Sequence, residues 1–289
     1  MTHTFEALGT KWWITVFDEI PKETLHGIFN TLKHSTHIYE ARYSRFKPDS
    51  LISKLNRDRT LDDPDKELCR LLTYGKSLYI RSNTKFNLLT GHILEARGYN
   101  TDYSFNATDP ESIFPGNPIT DLFITPEKIM LSEGNVDIGG FGKGYLIDKL
   151  AKIMKTEHQI KYFLINGGGD IYATSHHGEP IEIYLEHPIE PSQMIHKTTL
   201  FEQGFAASSP FKRTWRSSNK KYSHIVSNED VPSMATFVKA HKACDADAFA
   251  TIALLLSENK LLQMAQTEDL SIARFDPTTN QLWRMNGFR

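Results

Sequence analysis

The stretch YFLINGGGDIYATSHHGEPIEIYLE, residues 162–186, contains three short apolar runs separated by glycine-rich or polar turns. The runs Tyr162–Asn166, Asp170–Ala173 and Ile181–Glu186 are rich in β-branched and aromatic residues, which favours strands. Connections this short join antiparallel neighbours, because parallel strands need a long crossover. The stretch therefore predicts an antiparallel sheet in the second half of the chain.

Further strands and helices are predicted on both sides of this stretch. We expect strands at Lys11–Phe17, Asp121–Ile124, Lys128–Leu131, Thr198–Phe201, Phe205–Ser208, Tyr222–Val226, Ala235–Lys239 and Ile272–Phe275. Apolar spacing predicts helices at Lys22–Tyr39, Asp65–Thr84, Lys143–Lys155, Asp247–Leu256 and Lys260–Gln266, with a helical turn at Leu51–Leu55 and a long loop at Asn100–Asn117. This order indicates an α+β fold with a largely antiparallel or mixed sheet and flanking helices. No linker divides the chain, so we expect a single domain over residues 1–289.

Composition excludes several classes of protein. The 289 residues include 33 Lys and Arg against 35 Asp and Glu, a net charge of 33 − 35 = −2, which gives no bulk attraction to nucleic acid or to an anionic membrane. Two cysteines exclude a disulfide framework and a cysteine-rich zinc site. The N-terminal residues lack the pattern of a signal peptide, and the apolar runs are far shorter than the ~20 residues of a membrane span. We therefore expect a cytoplasmic protein with no nucleic-acid or membrane partner.

A glycine loop, VDIGGFGKG at residues 136–144, precedes an amphipathic helix. Free N–H groups of such a loop and the positive end of the helix dipole favour an anion, and Lys143 adds a point charge suited to phosphate. The spacing matches neither a dinucleotide-binding GxGxxG nor a Walker loop. The alternative is a tight turn in which the glycines supply positive φ.

A second candidate is CDADAFAT at residues 244–251. If Asp247 lies in the first turn of a helix, Asp247 and Thr251 are four residues apart and share one face. A carboxylate and a hydroxyl form a partial shell for Mg²⁺, which prefers hard oxygen ligands. The alternative is a helix cap, since Asp is common at helix starts.

Several other polar features carry a structural explanation. Five cations between Lys212 and Lys221 surround Trp215 and could indicate a nucleic-acid patch, but a solvated hairpin loop is favoured because the rest of the chain is acidic. His224 lies on a predicted strand, and a lone histidine is more often structural than catalytic. The pair His176–His177 and the run Asn166–Asp170 are interpreted as turns. There is no GxSxG motif of a serine hydrolase.

The order of these motifs resembles the ApbE family of Mg²⁺-dependent flavin transferases. The similar segments are Ala7–Thr10 with Trp12 (MGTxW), Tyr43–Ser50 with Leu55–Asn56 (SRFxPDS…LN), Lys85–Gly91 (GAFDPTVGPL), Asp137–Asp148 (DLGGIAKGYAVD), Phe163–Asp170 (LINxGGD), Tyr222–His224 (ysHI) and Asp245–Thr251 (xADALAT). The segments occur in the family's order over nearly the whole chain. The resemblance implies an ApbE-like fold, related to the T-fold.

The resemblance also implies an activity and its residues. Family members cleave the FAD pyrophosphate and transfer FMN to a Thr or Ser hydroxyl of an acceptor protein, with release of AMP. It implies that Asp247, Thr251 and the carbonyl of Gly140 hold Mg²⁺, and that the catalytic residues are His224 as the base, Lys143 facing the pyrophosphate, and Asp247. The residues that would contact FAD are Leu8, Phe46, Lys85, Phe86, Asn87, Asp137, Lys143 and Val226, with Phe46 stacking on a ring.

Differences from the family pattern keep two alternatives open. After His224 the family has DPxTG, whereas this chain has SNEDV at residues 227–231. The altered segment leaves room for an FAD pyrophosphatase, in which water attacks FAD to give FMN and AMP. A non-catalytic FAD-binding protein is the third possibility. Leu8, Asn87 and Gly142 stand where the family has Met, Asp and Ala.

Overall fold

The computed structural model describes residues 1–108, 112–176, 178–217, 219–227 and 229–289. The helices are α1 (Lys22–Tyr43), α2 (Leu51–Asp58), α3 (Lys66–Arg81), α4 (Gly91–Ala96), α5 (Pro118–Asp121), α6 (Gly142–Thr156), α7 (Ala243–Leu255) and α8 (Glu258–Thr267). The strands are β1 (Thr2–Ala7), β2 (Thr10–Val16), β3 (Thr60–Asp62), β4 (Leu122–Ile124), β5 (Lys128–Leu131), β6 (Phe163–Gly167), β7 (Asp170–Thr174), β8 (Ile181–Glu186), β9 (Met194–Leu200), β10 (Gln203–Ser208), β11 (Thr214–Ser217), β12 (Lys220–Ser223), β13 (Ala235–Ala240), β14 (Ser271–Asp276) and β15 (Gln281–Met285).

The chain divides into two compact units. The first unit comprises Met1–Ile38, Phe141–Lys212 and Pro232–Arg289. The second unit comprises Tyr39–Gly140 and Arg213–Val231. The expectation of one domain over residues 1–289 stays a prediction.

The first unit is built on an eight-stranded sheet in the order β1-β2-β6-β7-β10-β13-β14-β15. Every neighbouring pair is antiparallel, which confirms the predicted sheet type and the α+β class. The turn between β6 and β7 consists of Gly168 and Gly169, with φ of 71° and 107°. These left-handed values explain the glycine run, because L side chains are rarely accommodated there.

The two faces of this sheet carry different layers. On β13, the hydroxyl of Thr236 donates a 2.6 Å hydrogen bond to the Ala250 carbonyl of α7. The neighbouring Phe237 packs with Leu185 of β8 and Leu200 of β9 in an apolar cluster. Because successive strand residues point to opposite faces, α7 covers one face and the β8–β9 hairpin covers the other.

Helices α6 and α7 of the first unit approach each other closely. A Cβ atom at Gly144 of α6 would lie 2.7 Å from the Cα of Cys244. Asp148, one turn further along α6, accepts hydrogen bonds from the backbone N–H groups of Ala243 at 2.8 Å and Cys244 at 3.0 Å. Burial raises the pKa of Asp148 to about 6. This carboxylate caps the start of α7 and fixes the helix against α6.

The second unit holds a three-stranded antiparallel sheet, β3-β5-β4, and the β11–β12 hairpin. The Asn56 side chain on α2 accepts the Val136 N–H at 2.7 Å and donates to the Val136 carbonyl at 3.0 Å. This pair of bonds fixes the chain just before the glycine loop. Across the described ranges, no helix combines the length and apolar composition that crossing a membrane requires.

The structure corrects several predicted boundaries. Helix α7 begins at Ala243, so Asp247 lies in its second turn rather than its first. Strand β12 ends at Ser223, which leaves His224 and Val226 in the following loop rather than on a strand. The basic segment forms the β11–β12 hairpin, confirming that interpretation. The sequence does not predict six of the observed elements, namely β1, β3, β11, β15, α4 and α5. Residues 109–111 of the predicted loop, His177, Ser218 of the basic segment and Asn228 lie outside the described residues.

Candidate functional site

Lys143, at the start of α6, lies between two carboxylates. Its Nζ is 2.7 Å from Oδ2 of Asp170 and 3.5 Å from Oδ2 of Asp247. Asp170 is 5% exposed and Asp247 is 6% exposed. Charges this far from water interact strongly because little solvent screens them. The structure thus brings together Lys143 and Asp247, which the sequence placed in two separate motifs.

Three elements position these charges. Lys143 is the second residue of α6, Asp170 the first of β7, and Asp247 lies in α7. The backbone N–H of Gly144 donates a 3.0 Å hydrogen bond to Oδ2 of Asp247. That N–H belongs to the first turn of α6, where the helix dipole also favours a negative charge. The first turn of α6 thus donates to a protein carboxylate. The phosphate site predicted for the glycine loop stays a prediction.

Two hydroxyl groups, those of Thr251 and Ser208, lie close together one helical turn after Asp247. Thr251 follows Asp247 by one helical turn, and its Oγ1 is 3.3 Å from Oγ of Ser208. Among the residues that the structure describes, no group of three or more His, Cys, Asp or Glu side chains is placed to hold a metal. A cation here would depend on carboxylate, hydroxyl and carbonyl oxygens, water and substrate phosphate. That donor set fits Mg²⁺, which keeps several waters in protein sites.

Leu8 lies in the two-residue turn between β1 and β2. Its φ is 53°, and that of the following Gly9 is 65°. Both values are left-handed, as a two-residue turn of this kind requires. The left-handed region is unfavourable for a branched side chain such as leucine, so this turn is strained.

In the second unit, the Phe46 ring is in contact with several other side chains. The Arg45 guanidinium carbon is 4.1 Å from the Phe46 ring centroid. The Tyr103 ring stacks on Phe46 with centroids 5.2 Å apart and an angle of 9° between planes. Tyr99 meets Phe46 edge-on at 5.4 Å and stacks on Trp215 at 5.8 Å. These contacts form an aromatic cluster on the second unit.

Asp137 is held by a nearly buried arginine. Arg45 Nε donates to Asp137 Oδ2, and the Arg45 side chain is only 4% exposed. The Gly139 N–H donates to the other oxygen of Asp137 at 2.5 Å. At Gly140, a Cβ atom would lie 2.7 Å from the Phe86 ring. Asp137 and Phe86 therefore shape the glycine turn from both sides.

The other predicted residues of the second unit have partners of their own. Nζ of Lys85 is 2.5 Å from Oε1 of Glu229. The Asn87 side chain donates to the Gly116 carbonyl at 2.8 Å and accepts the Leu89 N–H at 2.8 Å. Val226 is half-buried in the loop after β12.

His224 is half-buried, and its Nδ1 is 3.5 Å from the carbonyl oxygen of Arg213. A carbonyl can only accept, so a hydrogen bond here would need the proton on Nδ1 and would leave Nε2 as the basic nitrogen. That is the tautomer that a general base acting through Nε2 requires.

A family model described as the ApbE family matches residues 8–275 of the chain. The chain belongs to the ApbE family. The matched segment includes residues of both compact units. This confirms the resemblance that the ordered motifs indicated.

Known relatives of this ApbE chain carry one description. The FAD:protein FMN transferase of Rhodobacter capsulatus is 27% identical over 211 residues, which are 67% of this chain and 39% of that protein. The chain thus spans about two fifths of the length of that relative. The FAD:protein FMN transferase of Buchnera aphidicola subsp. Schizaphis graminum is 20% identical over 95% of this chain and 85% of that protein.

Solved structures show the same ApbE fold. The ApbE protein from Thermotoga maritima aligns with a TM-score of 0.86 and 17% identity over 99% of this chain and 96% of that chain. The flavin transferase ApbE from Vibrio cholerae aligns with a TM-score of 0.79 and 16% identity over 100% of this chain and 97% of that chain. The ApbE-like fold predicted from the motifs is confirmed.

One residue of this ApbE chain was missed at the sequence level. Asp170 ends the run Asn166–Asp170, which was interpreted as a tight hairpin turn. That interpretation is right for the backbone, but the Asp170 side chain is the nearer carboxylate to Lys143. The signal was present as an acidic residue directly after three glycines, inside a family-like motif.

Proposed function

We propose that this chain is an FAD:protein FMN transferase that depends on Mg²⁺. In this reaction the hydroxyl oxygen of an acceptor Thr or Ser attacks the FMN phosphorus of FAD. The bond from that phosphorus to the bridging oxygen breaks, and AMP leaves. The observation that carries the proposal is the Lys143 ammonium 3.5 Å from the buried Asp247 carboxylate. Thr251 lies one helical turn after Asp247 on α7. Membership of the ApbE family supports it.

The proposed Mg²⁺ ligands are Asp247, Thr251 and the Gly140 carbonyl. When bound, the ion neutralises pyrophosphate charge that would otherwise repel a nucleophile. Lys143 adds a second positive charge toward the same phosphates, and its position at the start of α6 suits that task. The family model matches residues of both units, which supports one functional domain over residues 1–289.

His224 is the proposed general base. An alcohol is a weak nucleophile at neutral pH, so loss of its proton during attack lowers the barrier. The Arg213 carbonyl favours the tautomer with a basic Nε2, and that nitrogen would receive the proton. We propose that FAD contacts Leu8, Phe46, Lys85, Phe86, Asn87, Asp137, Lys143 and Val226.

The test is covalent flavin transfer. The purified protein is incubated with FAD, Mg²⁺ and an acceptor domain that an established ApbE transferase labels. We expect flavin fluorescence on the denatured acceptor and an equal amount of AMP. An acceptor in which the target hydroxyl is replaced should stay unlabelled. Absence of label while the established enzyme labels the same acceptor would disprove the proposal.

A second candidate is an FAD pyrophosphatase. The observation in its favour is the segment after His224, where Glu229 reaches back to Lys85 at 2.5 Å in place of the family's usual sequence. Release of AMP and free FMN at the same rate with and without an acceptor would favour this candidate over the transferase.

A further inference from the structure

Two buried carboxylates of the first unit share one ammonium group. The Lys143 Nζ makes a direct ion pair with Asp170 at 2.7 Å and a longer contact with Asp247 at 3.5 Å. The formal charge of the three groups is −1. An excess buried charge is unfavourable unless hydrogen bonds or a counter-ion compensate it. The Gly144 N–H provides part of that compensation at Asp247.

The side chains of Asp170 and Lys143 differ in how freely they can move. Asp170 is the first residue of β7, where it pairs with Gly167 across the tight turn, and its side chain is 6% exposed. Lys143 has a flexible four-carbon stem and is 18% exposed. A positive charge that approaches Asp247 would therefore displace the ammonium, while Asp170 stays in place.

We propose that Asp170 is a positioning residue that holds the Lys143 ammonium off Asp247, which keeps that carboxylate open to a divalent cation. This inference rests on the proposed function, in which Asp247 is a metal ligand. With Asp170 present, the ammonium has a fixed partner at 2.7 Å when a cation binds. Without it, the ammonium pairs with Asp247 and competes with the cation.

The inference predicts opposite effects of two substitutions on cation affinity. Asp170→Asn preserves size but removes the anchoring charge, so Mn²⁺ should bind about tenfold more weakly. Lys143→Met removes the competing ammonium, so Mn²⁺ should bind more tightly than to wild type. In the Lys143→Met background, the effect of Asp170→Asn should shrink, because no ammonium remains to be held.

The experiment is a titration of the full-length protein with Mn²⁺ alone, in which the signal of the free aqueous ion is followed by electron paramagnetic resonance. The matched control is Asp269→Asn, the same substitution in the same unit at a side chain that is 80% exposed; it should match wild type. If Asp170→Asn does not fold, the same titrations are made with Asp170→Ser, which also removes the anchoring charge.

Four results would overturn the inference. One is an unchanged affinity for Asp170→Asn. Another is an equal loss in both backgrounds, which would mean that Asp170 acts on the ion directly. The third is weaker Mn²⁺ binding by Lys143→Met, and the fourth is no Mn²⁺ binding by wild type. Flavin transfer is assayed separately, so the expected affinities without transfer would support the inference and reject the proposed function. Flavin transfer with unchanged Mn²⁺ affinities would support the proposed function and reject the inference.

Discussion

The Asp148 carboxylate on α6 accepts a 2.8 Å hydrogen bond from the backbone N–H of Ala243, the first residue of α7. Desolvation by burial raises the pKa of this group to about 6, against an ordinary value of 3.8. The folded state therefore binds a proton more tightly than the unfolded state does. Its contribution to stability is fully present below pH ~4 and is lost as pH rises through ~6.

The raised pKa of Asp148 predicts that the free energy of unfolding changes with pH. The contribution of Asp148 to the free energy of unfolding should fall by about 2–3 kcal/mol between pH 4 and pH 7. Asp148→Asn should flatten that slope in urea denaturation across the same range. Asp269→Asn, at a largely exposed carboxylate, should leave it unchanged. Identical slopes for wild type and Asp148→Asn would contradict the assignment.

The proposed metal ligand should matter more than the proposed base. A general base contributes about 10²–10⁴-fold, so His224→Gln should reduce the rate of flavin transfer within that range. Asp247→Asn should reduce it further, because it removes the charge that would hold the ion. The rates are measured by flavin fluorescence on the acceptor at saturating FAD and Mg²⁺. A smaller loss for Asp247→Asn than for His224→Gln would reverse the proposed roles.

Tyr103 stacks on Phe46, a residue that the proposed function places against a ring of FAD. Tyr103 is 42% exposed, and it also contacts the rings of Tyr99 at 5.6 Å and Phe105 at 6.1 Å. An aromatic pair is worth about 0.5–1.5 kcal/mol, so Tyr103→Ala should tighten FAD binding by roughly two- to tenfold. Calorimetry without acceptor measures this affinity. The control is Tyr184→Ala, which removes an exposed tyrosine of the first unit and should leave FAD affinity unchanged. Weaker FAD binding by Tyr103→Ala alone would refute the idea that FAD displaces Tyr103 from Phe46.

Arg45 and Asp137 form a nearly buried pair, with side chains 4% and 12% exposed. Arg45→Met leaves the carboxylate without its charge partner and should cost about 3–5 kcal/mol of unfolding free energy. Adding Asp137→Asn should recover part of that loss in a double-mutant cycle. The exposed pair Arg57–Asp58 gives the control, since Arg57→Met should leave the free energy of unfolding almost unchanged. Comparable losses at both sites would contradict the buried role.

Local pattern was sufficient for much of the fold. Strand β8 occupies the predicted residues Ile181–Glu186, because its alternating buried and exposed side chains are visible in the sequence. Helix α6 begins at Gly142, one residue before the predicted Lys143 and within the segment 136–144. Strand β3 has only three residues and β15 has no buried residue, so neither carries a run of alternating buried side chains long enough to predict a strand.

Long-range contacts account for what the sequence did not reveal. Helix α7 starts at Ala243 because Asp148, 95 residues earlier, supplies its cap. The contact between Lys143 and Asp170 depends on β7 lying beside α6, which local spacing cannot specify. The covering of Phe46 by Tyr103 likewise joins residues far apart in the chain.

The crowding at Gly144 limits how this chain can evolve. The atoms that a methyl group would meet there belong to the backbone of Ala243 and Cys244, so no change of side-chain rotamer can make room for it. Any larger residue would separate α6 from α7 and pull the Gly144 N–H away from Asp247. In a saturation library selected for function, codon 144 should return glycine exclusively.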